Sequence, residues 1–142
     1  MARKLGLSAR LRRAVMRRAG FLCEYCRLRQ DLCPESFEID HILPRALKGL
    51  SDLDNLCLAC PVCNNAKRDR IQGNDPVTGR SARLFHPRLD QWDDHFRWSD
   101  DFGTILGRTP VGRATVVALE MNHARVVQIR LLWARFGLHP PA

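Results

Sequence analysis

The sequence has 142 residues and lacks any run of eighteen apolar residues. A helix that crosses a membrane needs about twenty such residues, so we expect no transmembrane segment. The first seven residues also lack the apolar core of a secretory signal peptide, and the default expectation is a cytoplasmic protein. The hydrophobic content is 45%, which allows a chain of this length to bury a modest core. We therefore expect one domain over residues 1–142.

Lysine is scarce, with three lysines against twenty arginines, and the formal net charge is +8. A genome that favours arginine would produce such a composition without any functional reason. Several arginines are clustered, however, in the segment 8–20, which predicts a helix between a capping Ser8 and a terminating Gly20. Clustered positive charge attracts polyphosphates, which favours nucleic acid as the partner. The clustered residues are Arg10, Arg12, Arg13, Arg17 and Arg18.

All six cysteines lie between positions 23 and 63. Cytosolic proteins rarely keep disulfides, so paired cysteines in such a protein indicate metal. Cys23 and Cys26 form one Cys-x-x-Cys pair, and Cys60 and Cys63 form a second. Two such pairs complete the tetrahedron of sulfur ligands found in structural zinc sites. A redox pair or buried free thiols are the alternative, and the repeated spacing favours zinc.

Cys57 offers a competing pair, because Cys57-x-x-Cys60 has the same spacing. Cys57 stands between two leucines, where a small buried apolar residue would fit. Cys60-Pro-Val-Cys63 instead leads directly into a polar segment that suits a helix, so the sequence favours Cys60 and Cys63 as ligands. A site closed by four thiolates holds the fold and cannot activate water. Any chemistry is therefore expected elsewhere in the chain.

Between the two pairs the chain contains Glu38-Ile-Asp40-His41-Ile-Leu-Pro, and Asn64 and Lys67 follow. Asp and Asn oxygens suit a hard cation such as Mg²⁺. A neutral His can accept a proton from water near pH 7. Apolar and polar residues alternate in this segment, which predicts a strand with Glu38 and Asp40 on one face and His41 on the other. Asn64 and Lys67 would share one face of a following helix, where the lysine would hold a phosphate.

The order of these residues resembles that of the zinc-bearing HNH endonucleases. The shared features are Cys-x-x-Cys, Asp-His-Ile-x-Pro, Asn-Leu, and Cys-x-x-Cys-Asn with a Lys three residues on, all within residues 23–67. The resemblance implies the ββα-metal motif, in which a β-hairpin and a helix hold one catalytic divalent ion. Many family members carry Gly-Gly in the hairpin loop, where this chain has Lys48-Gly49.

The resemblance also implies a role for each residue of the motif. His41 would be the general base, while Asp40 and Asn64 would bind the catalytic Mg²⁺ or Mn²⁺. Asn55 would steady the hairpin loop, and Glu38 would be a weaker metal ligand. The implied activity is that of a metal-dependent endonuclease that hydrolyses DNA and leaves 5′-phosphate and 3′-hydroxyl ends. The expected phosphate contacts are Lys67, Arg68, Arg10, Arg13 and Arg17.

The expected fold class is α+β, with the ββα-metal (HNH) motif and a four-cysteine zinc site flanked by an N-terminal helix and a C-terminal extension. The zinc-stapled core covers residues 21–71. The extension covers residues 83–142, is expected to pack on the core, and consists of a strand pair plus two helices. Its sequence resembles an extension of small bacterial HNH proteins. The intervening segment 72–82 is rich in Gly, Pro, Asn, Asp and Ser, which predicts a loop.

Two other functions are compatible with the sequence. A non-cleaving zinc-stapled DNA-binding module would use the same cysteines and the same basic helix, although it has no use for the set Asp40, His41 and Asn64. A nuclease acting on RNA would keep the whole set. An HNH motif cuts one strand, so double-strand cleavage would require two copies, and a homodimer is one way to supply them.

Overall fold

The computed structural model describes residues 7–142. The first residues, on which the expectation of no signal peptide depends, lie outside the described part. Helix α1 covers Ala9–Arg18 and begins as predicted, because the Ser8 hydroxyl accepts a hydrogen bond of 3.1 Å from the amide of Leu11. Val15 is the buried residue of this helix, and most of its arginines are exposed. The helix therefore packs on the core through Val15 and presents most of its arginines to solvent.

The two cysteine pairs enclose a β-hairpin and a helix in the expected order. Strand β1 covers Glu38–His41 and pairs antiparallel with β2, which covers Leu56–Ala59 and is entirely buried. Helix α2 covers Pro61–Lys67, with proline in its first turn and the sulfur of its capping residue accepting a hydrogen bond from an amide of that turn. The register pairs Asp40 with Cys57 across the sheet. This arrangement confirms the α+β class and the ββα order.

The segment 72–82 is not a loop, and that prediction was wrong. Strand β3 covers Gln72–Asn74 and pairs with β4, which covers Ser81–Arg83. The turn-forming residues are concentrated between the two strands, where the Asp75 amide donates a hydrogen bond of 2.8 Å to the carbonyl of Arg80. The strands themselves are short and mostly exposed, so their sequence carries no alternating pattern. They form because they pack on a helix of the extension.

The extension contains the predicted strand pair and two helices. The short helix α3, Trp92–His95, precedes strand β5, Phe96–Trp98, which pairs antiparallel with β6, Ile105–Gly107. Helix α4 covers Pro110–Ala118 and α5 covers Ala124–Ala134. The first strand of the pair begins at Phe96, directly after α3, on which Trp92 lies.

The extension and the hairpin share one hydrophobic core. The Trp92 indole donates a hydrogen bond of 2.7 Å to the carbonyl of Tyr25, which lies within the first cysteine pair. Arg70 donates one of 2.6 Å to the carbonyl of Ala118, at the end of α4. Arg88 forms an ion pair with Glu24, whose carboxylate also accepts a hydrogen bond from β2. No helix within residues 7–142 is both long enough and apolar enough to cross a bilayer.

Candidate active site

Four cysteine sulfurs converge in the core. The Sγ atoms of Cys23, Cys26, Cys60 and Cys63 all lie within 4.8 Å of one another, and those of Cys26 and Cys60 are 3.6 Å apart. Zinc binds sulfur at about 2.3 Å, which separates the sulfurs of a tetrahedral site by about 3.8 Å. All four residues are buried. The cluster therefore has the size and ligand type of a structural zinc site, as the sequence predicted.

The ionisation of these four thiols also requires a cation between them. Hydrogen bonds from Cys23, and then from Cys60 and Cys63, lower the pKa of the Cys26 thiol well below its ordinary value. Contacts with Cys23 and Cys26 raise the pKa of Cys60 and of Cys63. Four sulfurs at this separation cannot all ionise unless a positive ion lies among them. A bound zinc ion would remove that repulsion.

The two remaining cysteines stand outside the cluster. Cys57 is fully buried in β2, and its Sγ lies 3.7 Å from Oδ2 of Asp40 rather than beside the other sulfurs. Burial raises the pKa of the Cys57 thiol well above its ordinary value. Burial likewise raises the pKa of Cys33 to about 11. Because the Cys63 sulfur lies in the cluster and the Cys57 sulfur does not, Cys63 and not Cys57 completes the set of four candidate ligands.

A cleft of about 260 Å³ opens where β1, the following loop and α2 meet. It brings together Asp40 and His41 from the end of β1 and Asn64 from the first turns of α2. Adjacent strand residues normally point to opposite faces, which was the expectation for Asp40 and His41. Here both border one cleft, since the strand ends at His41 and the chain turns away at Pro44. The full lining is Ile39, Asp40, His41, Pro44, Arg45, Asn64, Arg68 and Asp69.

Asp40 is anchored by a buried polar network. Its Oδ2 accepts a hydrogen bond of 2.8 Å from the Tyr25 hydroxyl and lies 3.1 Å from the Lys67 ammonium. Its Oδ1 makes only a longer contact of 3.4 Å with the same ammonium. Burial, together with the nearby Cys57 and Asp40, raises the pKa of the Tyr25 hydroxyl, which therefore remains a donor. One carboxylate oxygen is thus fixed, and the other is less engaged.

Lys67 has a different position from the one expected for a phosphate contact. Its residue is 2% exposed, and its ammonium donates to the carbonyls of His41 at 3.0 Å and Ile42 at 3.2 Å. Together with Asp40, these acceptors satisfy the three protons of the ammonium. Lysine at this place connects α2 to the end of β1, because a buried ammonium needs acceptors on every side.

His41 is half-buried at the mouth of the cleft. Its Nε2 lies 2.8 Å from the hydroxyl of Ser51, in the loop that joins β1 to β2. Partial burial, and then the positive charge of Arg45, lower the pKa of the His41 imidazole below its ordinary value. The neutral form therefore predominates at pH 7, and a neutral imidazole can accept a proton.

Asn55 closes the loop between β1 and β2. Its side-chain oxygen accepts a hydrogen bond of 2.8 Å from the amide of Leu43, and its amide donates to the carbonyls of Leu43 and Leu50, each at 2.9 Å. Gly49 passes so close to the Leu43 carbonyl and the Asn55 amide that no Cβ would fit there. Lys48 adopts a left-handed conformation, φ 69° and ψ 26°, where many family members would have a glycine. The loop therefore needs its second glycine, and tolerates lysine at the first position.

The other predicted site residues lie at different places. Glu38 is at the start of β1 and is not among the residues that line the cleft. Arg10, Arg13 and Arg17 are exposed on α1. Arg68 is exposed and borders the cleft directly after α2.

Sequence reasoning missed three residues at this site. Tyr25 lies hidden inside the first Cys-x-x-Cys pair, and Ser51 lies in a loop without a recognisable motif. Arg45 could have been noticed, because it directly follows the Asp-His-Ile-x-Pro element. Tyr25 and Ser51 act on a motif residue through a hydrogen bond across the core or the loop, so only the folded chain reveals them.

The family model of the HNH endonucleases matches residues 23–70, which contain both cysteine pairs, the hairpin and α2. The match confirms the resemblance seen in the sequence, for a segment of about a third of the chain. That segment is similar to HNH endonuclease domains, which suggests a nuclease or nucleic-acid-binding function with a nucleic acid as partner. Comparison with curated proteins and with solved structures gave no significant match. Neither the match nor the single chain supports the expected homodimer.

Proposed function

We propose that the protein is a metal-dependent endonuclease that hydrolyses phosphodiester bonds of DNA. The observation that carries the proposal is the convergence of Asp40, His41 and Asn64 on one cleft. These are the residues that the HNH resemblance assigns to catalysis, and they come from two separate elements. A zinc-binding module without catalytic activity would not need them together.

His41 is the proposed general base. It is neutral at pH 7 because burial and Arg45 lower its pKa, and it borders the space where a water and a phosphate would meet. The imidazole takes a proton from water as the water oxygen forms a bond to phosphorus. The bond from phosphorus to the 3′ oxygen breaks in line, and the leaving oxygen is protonated from solvent.

Asp40 and Asn64 are the proposed ligands of a catalytic Mg²⁺ or Mn²⁺. Oxygen ligands suit these hard cations, and Oδ1 of Asp40 is the carboxylate oxygen with the weaker internal contact. Such an ion, when bound, stabilises the charge that develops on the phosphate and on the leaving oxygen. Tyr25 and Lys67 hold the other oxygen and thereby fix the direction of the carboxylate. Glu38 is a weaker candidate, since it does not border the cleft.

Arginines are the proposed phosphate contacts. Arg68 and Arg45 are exposed at the wall of the cleft, next to the position proposed for the scissile phosphate. Arg10, Arg13 and Arg17 would extend the contact along α1 by charge alone, without reading the base sequence. Lys67 contributes indirectly, because its ammonium is occupied inside the protein.

The proposal is tested by cleavage of a supercoiled plasmid. Zinc-loaded protein is incubated with Mg²⁺ or Mn²⁺, with EDTA, and as the His41→Ala variant. We expect nicking that requires the divalent ion and that falls by a factor of about 10²–10⁴ in His41→Ala, the usual contribution of a general base. An inert wild-type protein across metals and DNA forms, or equal cutting by His41→Ala, would refute the proposal.

A matched pair of variants on α2 separates a metal ligand from a general effect on the helix. Asn64 borders the cleft, whereas Asn65 is exposed and borders a different cleft. We expect Asn64→Ala to lose nicking and to require a higher Mg²⁺ concentration, while Asn65→Ala keeps both. Equal loss in the two variants would remove Asn64 from the site.

A non-cleaving DNA-binding module is the second candidate, and one contact favours it. The Lys67 ammonium already neutralises Asp40, 3.1 Å away, so the carboxylate does not depend on a metal ion for its countercharge. This candidate predicts DNA binding that weakens with salt but is independent of Mg²⁺, together with no strand breaks. The same assay with an RNA substrate distinguishes a nuclease that acts on RNA.

A further inference from the structure

The loop between β1 and β2 places a hydroxyl group on the ring of His41. Ser51 Oγ lies 2.8 Å from His41 Nε2, and it is the hydrogen-bond partner of the ring among residues 7–142. Both side chains are half-buried. The contact spans ten residues of sequence. Nothing in the motif marks Ser51, so the assignment comes from the fold.

The position of Ser51 is fixed by its own loop. The carbonyl of the preceding residue, Leu50, accepts a hydrogen bond of 2.9 Å from the Asn55 side chain. The amide of Gly49 donates one of 2.9 Å to the carbonyl of Pro44. The same Asn55 side chain is bonded to both polar groups of the Leu43 backbone. Ser51 therefore emerges from a braced backbone, which holds the hydroxyl in place before any substrate arrives.

The consequence concerns which ring nitrogen carries the proton. A neutral imidazole has one N–H, and its other nitrogen is an acceptor. If Ser51 accepts from Nε2–H, the lone pair is on Nδ1. Nδ1 has no hydrogen-bond partner among the described residues, and it is not one of their buried unpartnered atoms. Nδ1 is thus not fully buried, and in the Nε2–H tautomer it can take a proton from water.

We infer that Ser51 is a positioning residue for the catalytic base. It accepts a hydrogen bond from Nε2–H of His41, and so holds the ring in the tautomer and orientation that leave Nδ1 free. When Nδ1 takes the proton of water, Nε2–H remains bonded to Ser51, and that bond becomes stronger because its donor is now charged. This inference rests on the proposed function for its catalytic meaning, but the tautomer is a property of the protein alone.

The test compares the wild type with Ser51→Ala, Ser51→Thr and a distant serine control, Ser81→Ala, in the zinc-loaded full chain. Two-dimensional ¹H–¹⁵N correlation of the imidazole nitrogens reports the His41 tautomer without any substrate. We expect Nε2–H to predominate in the wild type, in Ser51→Thr and in Ser81→Ala. Because Ser51→Ala removes the acceptor of Nε2–H, it should raise the fraction of the Nδ1–H form above that of the wild type. Predominant Nδ1–H in the wild type, or no change in Ser51→Ala, overturns the inference.

Cleavage kinetics provide the second readout. Ser51→Ala should lower kcat about tenfold with little change in KM, because it affects the base rather than DNA binding. Ser51→Thr should recover most of the rate, which a merely structural loss would not. Wild-type kcat in Ser51→Ala overturns the inference. If the wild type cleaves nothing, the proposed function fails, while the tautomer measurement still decides the role of Ser51. Thermal melts of all variants identify any that fail to fold.

Discussion

Arg68 adopts a backbone conformation that is unfavourable for an arginine. Its φ is 54° and its ψ is −129°, immediately after the last residue of α2. Positive φ with this ψ occurs at the first central position of a type II′ turn, where glycine predominates. A residue with a side chain pays about 1–3 kcal/mol there. Such strain persists where the surrounding structure imposes it, and Arg68 borders the proposed active cleft.

The strain can be measured by comparing Arg68→Gly with Arg68→Ala. Both variants lose the guanidinium, but only glycine relieves the backbone. Glycine also gives the unfolded chain more freedom, which offsets about 0.5–1 kcal/mol of that relief. We therefore expect Arg68→Gly to be about 1 kcal/mol more stable than Arg68→Ala. For a chain of this length the difference corresponds to about 2–4 °C in Tm.

The assay is thermal and urea denaturation of both variants at the same zinc loading. Binding to a DNA duplex is measured in parallel over a range of salt concentrations. Each variant should weaken binding equally and reduce the slope of log K against log salt by about 0.9, the value for one phosphate contact. Equal stability of the two variants would refute the strain argument. Undiminished DNA affinity would remove Arg68 from the phosphate contacts.

Three further predictions concern zinc, acid stability and the pH dependence of cleavage. Chelation of zinc, or Cys60→Ser, should abolish the cooperative melt seen by circular dichroism, and a melt that persists would contradict a structural zinc site. Arg113 forms an ion pair with Asp75 that holds the pKa of this carboxylate well below its usual value, so the pair stabilises the fold above about pH 4 and this stabilisation is lost as the pH falls further. The free energy of unfolding of Asp75→Asn should therefore depend less on pH in the acid range, and an unchanged pH dependence would contradict the prediction. Burial and then the charge of Arg45 lower the pKa of His41, so the acid limb of the plot of cleavage rate against pH should lie below about pH 6.5. Arg45→Gln should move this limb to higher pH. A limb that does not move would exclude the charge of Arg45 as a cause.

The sequence predicted the parts of the fold that depend on local pattern and spacing. Ser8 as a capping residue predicts the start of α1, and the paired cysteines predict the zinc cluster. The helix cap depends on a few neighbouring residues, and the tetrahedral geometry of zinc leaves few other ways to arrange two cysteine pairs. The β3–β4 hairpin was missed because its strands are short and exposed, and only their packing on α4 makes them strands.

In the candidate site, too, the features with a local sequence signal could be predicted, and those that depend on tertiary contacts could not. Asp40, His41 and Asn64 could be proposed because the motif fixes their order, and the fold brings them to one cleft. The roles of their neighbours could not be predicted. Lys67 looks like a phosphate contact in the sequence, but it is buried, since the hairpin places two carbonyls and a carboxylate around its ammonium. Ser51 reaches His41 only because the loop closes on itself.

The central claim is that Asp40 and Asn64 hold one exchangeable divalent ion beside His41. The most direct measurement is a crystal structure of the zinc-loaded protein soaked in Mn²⁺, with anomalous diffraction to distinguish manganese from zinc. We expect zinc among Cys23, Cys26, Cys60 and Cys63, and one manganese peak within coordination distance of Asp40 Oδ1 and the Asn64 side-chain oxygen. A cleft without manganese at saturating concentration, or manganese bound away from these two residues, would contradict it.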